Sequence, residues 1–360
     1  MMRIGAHETT LRRTWFRTLL CIAGLAGTAL ALTAVLWGRD HALAATSTGR
    51  STQNGQLTIF GTRGRVSIKT VGSNPRTVWD CWHHHTQNDC HEPVSFAWAP
   101  GGRRVAFTNT YFGGGWSSYV WFHIVYAASG RETRIPPGAP KESSYEDRDQ
   151  EAWDAYYKKT VRRVGCTHPE ELAWSPSGKR LAYACAGMDG RPIVHSHIDV
   201  LTVRGVGHIS VPTRSNAFWP SWSSRGTRIA YSTQLTPATT SRIYTIAVDG
   251  SHRFLLAEGG AAPAWSPDGR TIAYQTTCGI RLVTPAGRDV TPAATANSCG
   301  AIGVSGPPVW SPDGTKIAAE TTAGVYVMGR GGAALHLISK QASRTWYGLL
   351  PGRPSWRSKP

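Results

Sequence analysis

The sequence has no run of five Lys/Arg, no Cys-x-x-Cys pair, no Gly-rich phosphate loop, no zinc-protease helix motif and no Gly-x-Ser-x-Gly turn. These absences argue in turn against a dedicated nucleic-acid patch, a tight zinc cage, nucleotide chemistry, a metalloprotease and a serine-hydrolase nucleophile elbow. Acids are scarce as well: Asp+Glu number 22 against 39 Lys+Arg, a net charge of +17 over 360 residues. Residues 1–44 carry five Arg against Glu8 and Asp40, so the remainder keeps +14. A surplus of that size attracts polyanions and anionic surfaces without naming one, and it also serves simply to solubilise. Charged residues are 17% and hydrophobic residues 41%, a globular balance that fits neither a disordered chain nor a multi-span membrane protein.

A single long apolar run is present, from Thr18 to Trp37, preceded by Arg3, Arg12, Arg13 and Arg17 and followed by Ala42-Leu43-Ala44. A basic start, an apolar middle and a small-x-small end read as a secretory signal over 1–44, with cleavage after Ala44. The run also approaches the length that spans a bilayer, so an uncleaved anchor is the competing reading. In either topology residues 45–360 lie outside the cytoplasm, whether periplasmic, cell-surface or secreted. The cysteines agree: setting aside Cys21 leaves six, an even number for an oxidising compartment. Proximity in the chain favours Cys81–Cys90, Cys166–Cys185 and Cys278–Cys299 among the fifteen possible connectivities.

What the chain does have is a repeated sentence. Pro263-Ala-Trp265-Ser-Pro-Asp-Gly-Arg-Thr-Ile-Ala-Tyr274 recurs with small changes around Trp98, Trp174, Trp222 and Trp310, and a sixth copy begins at Trp356 and breaks off. The Trp residues are spaced by 76, 48, 43, 45 and 46. A period near 45 holds four short strands and their turns, one blade of a β-propeller. Ser-Pro-Asp-Gly is a tight turn: Pro presets φ, Asp bonds locally and Gly takes the left-handed conformation. The strand missing from the sixth copy is expected at the other end of the mature chain, where Asn54–Phe60 aligns with Asp268–Tyr274. The expected fold is therefore all-β: a six-bladed propeller over 54–360, its ring closed by the C-terminal strand pairing with N-terminal strands. A linker at 45–53 precedes it, and a short helical insertion at 136–168 interrupts it.

The Trp-Ser-Pro-Asp-Gly-x-x-Ile-Ala-Tyr sentence resembles the WD40-like repeat of TolB-type propellers, and the resemblance covers 54–360. It implies the propeller fold and, more weakly, a binding role in the cell envelope, because one fold hosts many activities. The same repeat builds the propeller of prolyl-oligopeptidase-type enzymes, which carry an added hydrolase domain; no nucleophile motif for one occurs here.

Numbering the strands of a blade from the ring centre outward, the uniform turns between strands one and two lie on one face (the turn face). The irregular segments fall on the other (the loop face), where variable loops on a rigid scaffold usually carry binding. Aromatic and histidine candidates there are Tyr111, Phe112, Trp116, Trp153, Tyr156, Tyr157, His195 and Trp219. Within the insertion, Ser144–Asp147 reads as a capped helix start, and Trp153, Tyr156, Tyr157 and Val161 recur at helical spacing. The segment 80–92 places His83, His84, His85 and His91 inside a Cys81–Cys90 loop. Imidazoles suit zinc, copper or nickel, so this is the metal candidate, with His168 or His195 as a further ligand; the alternative is a solvated polar loop. No cofactor is expected otherwise.

The leading expectation is a monomeric, non-enzymatic exported protein. It binds a protein, a peptide or an acidic envelope polymer, meets no specific nucleic acid, and touches membrane only through its N-terminal segment. The rivals are a metal-dependent, polysaccharide lyase-like enzyme using the His-rich loop, and a membrane-anchored sensor ectodomain.

Overall fold

The computed structural model describes residues 56–61, 67–70, 77–80, 93–112, 118–126, 132–135, 155, 158–159, 166, 169–186, 196–204, 208–234, 237–238, 240–293, 307–321, 324–332, 336–339 and 355–357. The expected export segment lies outside them. All belong to one compact unit, Gln53–Pro360. Among the described residues no helix is long and apolar enough to cross a membrane.

The described strands form six sheets. The first joins β1 (Gln56–Gly61), β2 (Ser67–Thr70) and β3 (Thr77–Asp80) to the last strand, β23 (Ser355–Arg357), in the order β23-β1-β2-β3. The second holds β4 (Pro93–Trp98), β5 (Arg104–Phe112), β6 (Ser118–Tyr126) and β7 (Glu132–Ile135). The third holds β8 (Pro169–Trp174), β9 (Arg180–Ala186), β10 (Ser196–Thr202) and β11 (His208–Val211). The fourth holds β12 (Phe218–Trp222), β13 (Arg228–Ser232), β14 (Arg242–Ala247) and β15 (Phe254–Glu258). The fifth has only β16 (Gly260–Trp265), β17 (Ile272–Thr276) and β18 (Gly279–Val283). The sixth holds β19 (Val309–Trp310), β20 (Lys316–Thr321), β21 (Gly324–Gly329) and β22 (His336–Ser339). Neighbours in every sheet are antiparallel.

Six four-stranded blades were expected; five of the six sheets have four strands and the fifth has three. The cause is local. Beyond β18 the Thr291 hydroxyl accepts from Leu282 N at 2.9 Å and Val290 N donates to Leu282 O at 2.9 Å, so one residue of the edge is capped where a fourth strand would run. A second correction concerns register at the chain ends. The sequence alignment puts Thr58 where Ile272 sits, but Leu57 pairs with Trp356 as Ile272 pairs with Trp265. Leu57 is buried. With a side-chain period of two, that slip of one residue exchanges the faces of β1.

The repeat turns form as their residues dictate. At 266–271, Ser266 Oγ accepts from Thr271 N at 3.0 Å and Asp268 Oδ1 accepts from Arg270 N at 3.0 Å. Gly269 takes φ +70 and donates its N–H to Ser266 O at 2.9 Å. The core lies between consecutive sheets. Leu181, Tyr183 and Leu201 pack on Phe122 and Ile124, and Ile229, Tyr231 and Ile246 pack on Val200 and Val211. Indole N–H groups stitch four of the sheets to the one before: Trp174 Nε1 donates to Ala97 O at 3.0 Å, Trp222 Nε1 to Ala173 O at 3.1 Å, Trp310 Nε1 to Ala264 O at 2.9 Å and Trp356 Nε1 to Val309 O at 3.2 Å. Trp265 Nε1, in the fifth sheet, is buried without such a bond. Arginines add a second stitch on the turn face. Arg104 lies over the Trp174 ring and donates to Gly178 O at 2.8 Å, and Arg180 repeats this with Trp222 and Gly226 O at 2.9 Å.

Candidate binding surface on the loop face

Strand β9 runs toward the loop face and β10 returns from it, so Cys185 and His197, which are register partners, stand at that end of the third sheet. Cys185 is disulfide-bonded to Cys166, the last part of the 136–168 insertion. That bond pins the end of the insertion to β9. Ala155, Lys158 and Lys159 are helical and exposed, within the stretch read as a helix. The chain between the two cysteines spans 19 residues, and closing such a loop in the unfolded state is worth about 3 kcal/mol. Replacing both cysteines by Ser is expected to lower chemical-denaturation stability by about 2–4 kcal/mol, read from the urea midpoint.

Beside the disulfide, Asp199 is fully buried and accepts from Ser210 Oγ on one oxygen, while its other oxygen lies 3.3 Å from His197 Nε2. The order is hydroxyl, carboxylate, imidazole. A nucleophilic relay needs the imidazole in the middle, touching the hydroxyl, so this cluster does not activate Ser210. Donor atoms of Cys185, His197 and Asp199 lie within 4.8 Å of one another, but the Cys185 sulfur is spent in the disulfide and offers no thiolate. The cluster is a polar brace beside the Cys166–Cys185 bond.

The His197 imidazole is held above its ordinary value of 6.5 by its hydrogen bond to Asp199, opposed by partial burial and helped by the Asp199 charge. Because its pKa is higher folded than unfolded, the stability it adds is complete below about pH 6.5 and is lost as pH rises through the folded value. NMR titration is expected to place the His197 midpoint above 6.5, and Asp199→Asn to remove the upward displacement. An unchanged midpoint in that variant would contradict the contact.

The inner strands carry a shared irregularity at the loop-face side of the Trp. Glu171, Trp219 and Ala262, each three residues before a repeat Trp, have φ of 56, 55 and 51, and the ladder skips beside each of them. These are β-bulges with a non-glycine residue in the left-handed region, a strained conformation that bends the strand and re-aims its side chains. Buried groups of the preceding sheet hold two of them: Glu171 Oε2 accepts from Trp219 N, and Ser232 Oγ accepts from Ala262 N at 3.4 Å. Glu170, beside the first bulge, has its carboxyl raised by burial.

The sequence candidates fall unevenly. Trp219 is buried against Phe218, Ala261 and Ala262, so its ring forms part of the wall rather than a free surface. Tyr111 and Phe112 end β5 at the loop face. Trp116, Trp153, Tyr156, Tyr157, His195, His83, His84, His85, His91, Cys81, Cys90 and Cys299 lie outside the described residues. Cys278 is disulfide-bonded, and its partner is not among the described residues. His197, Asp199 and Glu171 were not singled out from sequence; only the odd-numbered alternation of Cys185, His197 and Asp199 on paired strands could have pointed to the first two.

Together these features define an all-β propeller with almost no helix among the described residues. No protein-family model matches the sequence, and neither does any curated protein. Solved structures do. A putative TolB from Agrobacterium tumefaciens matches with a TM-score of 0.53 at 18% identity, over 78% of this chain and 90% of that one. TolB from Acinetobacter baumannii matches with 0.56 at 14% identity, over 86% of this chain and 68% of that one. A chain of a nidogen/laminin complex matches with 0.54 at 12% identity, over 85% and 99%. At these identities the likeness is one of fold.

Proposed function

We propose that this chain is an exported, non-enzymatic, TolB-like propeller that binds a protein, a peptide or an acidic envelope polymer on its loop face. The observation that carries the reading is the Cys166–Cys185 bond, which fastens a 33-residue insertion (136–168) to one end of a stitched, repetitive scaffold. A segment pinned at its base is preorganised, and preorganisation lowers the cost of binding. Two of the structural neighbours are TolB proteins and a third comes from a complex of two proteins, which favours a protein partner.

The scaffold is read as one closed ring of six blades, the fifth lacking its outer strand. Supporting this, the first strands β4, β8, β12, β16, β19 and β23 pack in cyclic succession, and Trp98 N donates to Ser355 Oγ at 3.3 Å. Tyr111, Phe112 and the insertion aromatics Trp153, Tyr156 and Tyr157 are the proposed recognition side chains.

The test is crosslinking followed by affinity capture from an envelope extract, with and without residues 136–165. The reading expects one partner to be retained by the full chain and lost on the deletion, with the thermal midpoint of the propeller preserved. A partner captured equally by both proteins would place recognition elsewhere.

A further inference from the structure

The turn face, whose uniformity marks it as structural, also carries an arrangement that its structural role does not use. Each of the five complete repeat turns presents an exposed cation: Arg103, Lys179, Arg225, Arg270 and Lys316. None of them is engaged by a described carboxylate. They contrast with Arg104 and Arg180, which are spent on the next sheet's Trp ring and turn carbonyl.

The four carboxylates described on this face are already committed. Asp313 accepts from Ser311 Oγ at 2.7 Å and Thr315 N at 2.9 Å, and Asp249 accepts from Ser251 N at 2.9 Å. Asp268 pairs with Arg330 at 2.7 Å; burial pushes its carboxyl up, but bonds from Ser266, Arg330 and the Arg270 N–H outweigh this and bring it down to about 2. Asp289 pairs with Arg281 at 3.1 Å. The turns between third and fourth strands add Arg204 and Arg288, both exposed. The described part of the face is thus cationic, with its acids turned to internal use.

A second observation is independent of charge. The exposed large apolar side chains among the described residues are Ile209, Phe254, Leu255, Val290 and Leu337. Ile209, Phe254, Leu255 and Leu337 lie in the first two residues of β11, β15 and β22, at the turn-face end of the outermost strand. Val290 occupies the same place in the fifth sheet, directly after its turn. Four consecutive sheets therefore bring an apolar group to the rim of the cationic face.

We propose that the turn face is a docking surface for an anionic lipid bilayer, separate from the loop-face recognition proposed above. Cations near an anionic leaflet are attracted to its headgroups, and apolar side chains beside them gain by entering the headgroup boundary. A soluble polyanion would reward the cations alone; the rim of apolar groups favours the bilayer. The geometry leaves the loop face pointing away from the membrane and free for its partner.

The test uses the full chain and large unilamellar vesicles, either pure phosphatidylcholine or containing phosphatidylglycerol, with partitioning read by flotation. The quantity compared is the ratio of anionic to neutral partitioning in variants that share the same N-terminal segment, so that segment's contribution cancels. Lys179→Gln, Arg225→Gln and Arg270→Gln together are expected to lower the ratio about a hundredfold. Arg242→Gln, at the loop-face end of β14, is expected to leave it unchanged. Phe254→Ser with Leu337→Ser is expected to lower binding to anionic vesicles at least about tenfold. Raising salt on the unaltered protein is expected to collapse the ratio, a check that needs no variant. Equal partitioning into both vesicles, or a triple variant that binds like the parent, would overturn the proposal. So would binding to dextran sulfate with indifference to anionic vesicles, which would assign the face to a soluble polyanion.

Discussion

Removing residues 354–360 is expected to abolish cooperative folding into a soluble monomer. The deletion takes away β23, whose Ser355, Trp356 and Arg357 pair with Thr58, Leu57 and Gln56. It also removes the Trp356 ring from its packing on Leu57, Ala318 and Val325, and the Ser355 hydroxyl from Trp98 N. The loss falls on three sheets at once. β1 becomes an open edge, and an unpaired edge strand invites aggregation. The point variant Trp356→Ala separates packing from pairing: losing the half-buried ring and its N–H to Val309 O is expected to cost about 3 kcal/mol, a fall in Tm of roughly 6–12 °C. Thermal melts with light scattering read both. A truncated protein melting within about 2 °C of the full chain would detach the C-terminus from the fold.

The second large effect is expected inside the stitching between sheets. Trp222 is buried against Val200 and Val211, its N–H reaches Ala173 O at 3.1 Å, and Arg180 lies 4.8 Å from its ring centroid. Trp222→Ala removes ring, bond and cation contact together and is expected to cost about 3–5 kcal/mol. Trp222→Phe keeps most of the ring but removes the donor from the half-buried Ala173 carbonyl, for about 1–2 kcal/mol. Arg180→Ala leaves the indole in place and is expected to cost about 1 kcal/mol. Urea denaturation of the three variants ranks these contributions. A Phe variant as stable as the parent would remove the indole bond from the list of what holds neighbouring sheets.

Much of the fold was legible because the repeat states its own physics. Trp, then a four-residue turn, then Ile-Ala-Tyr predicts two strands and the bend between them, and β16–β17 or β19–β20 follow that reading closely. The return of the C-terminus to the N-terminal strands was legible too, but its register was not. Gly55 imitates the turn glycine of the repeats, yet no turn joins β23 to β1, so the imitation misplaces the strand by one residue. The bulges at Glu171, Trp219 and Ala262 had no signal, since left-handed backbone is ordinarily announced by Gly or Asn. The indole and arginine stitches were hidden for another reason: they join residues 46 to 77 apart, and spacing alone does not say which atoms meet. In the candidate site, the Cys166–Cys185 pairing was readable from proximity in the sequence together with the expectation of an oxidising compartment. His197 and Asp199 were not, because they become neighbours of that disulfide only through the β9–β10 register.

The closed ring is the claim on which the two faces, the tethered insertion and the apolar rim all depend. Amide hydrogen exchange followed by mass spectrometry tests it most directly. If the chain ends share one sheet, the amides of Gln56–Thr58 and Ser355–Arg357 exchange slowly, together, and with protection comparable to Lys316–Thr321 in the adjoining β20. Exchange of 355–357 at the rate of an unstructured peptide, while β20 stays protected, would contradict it.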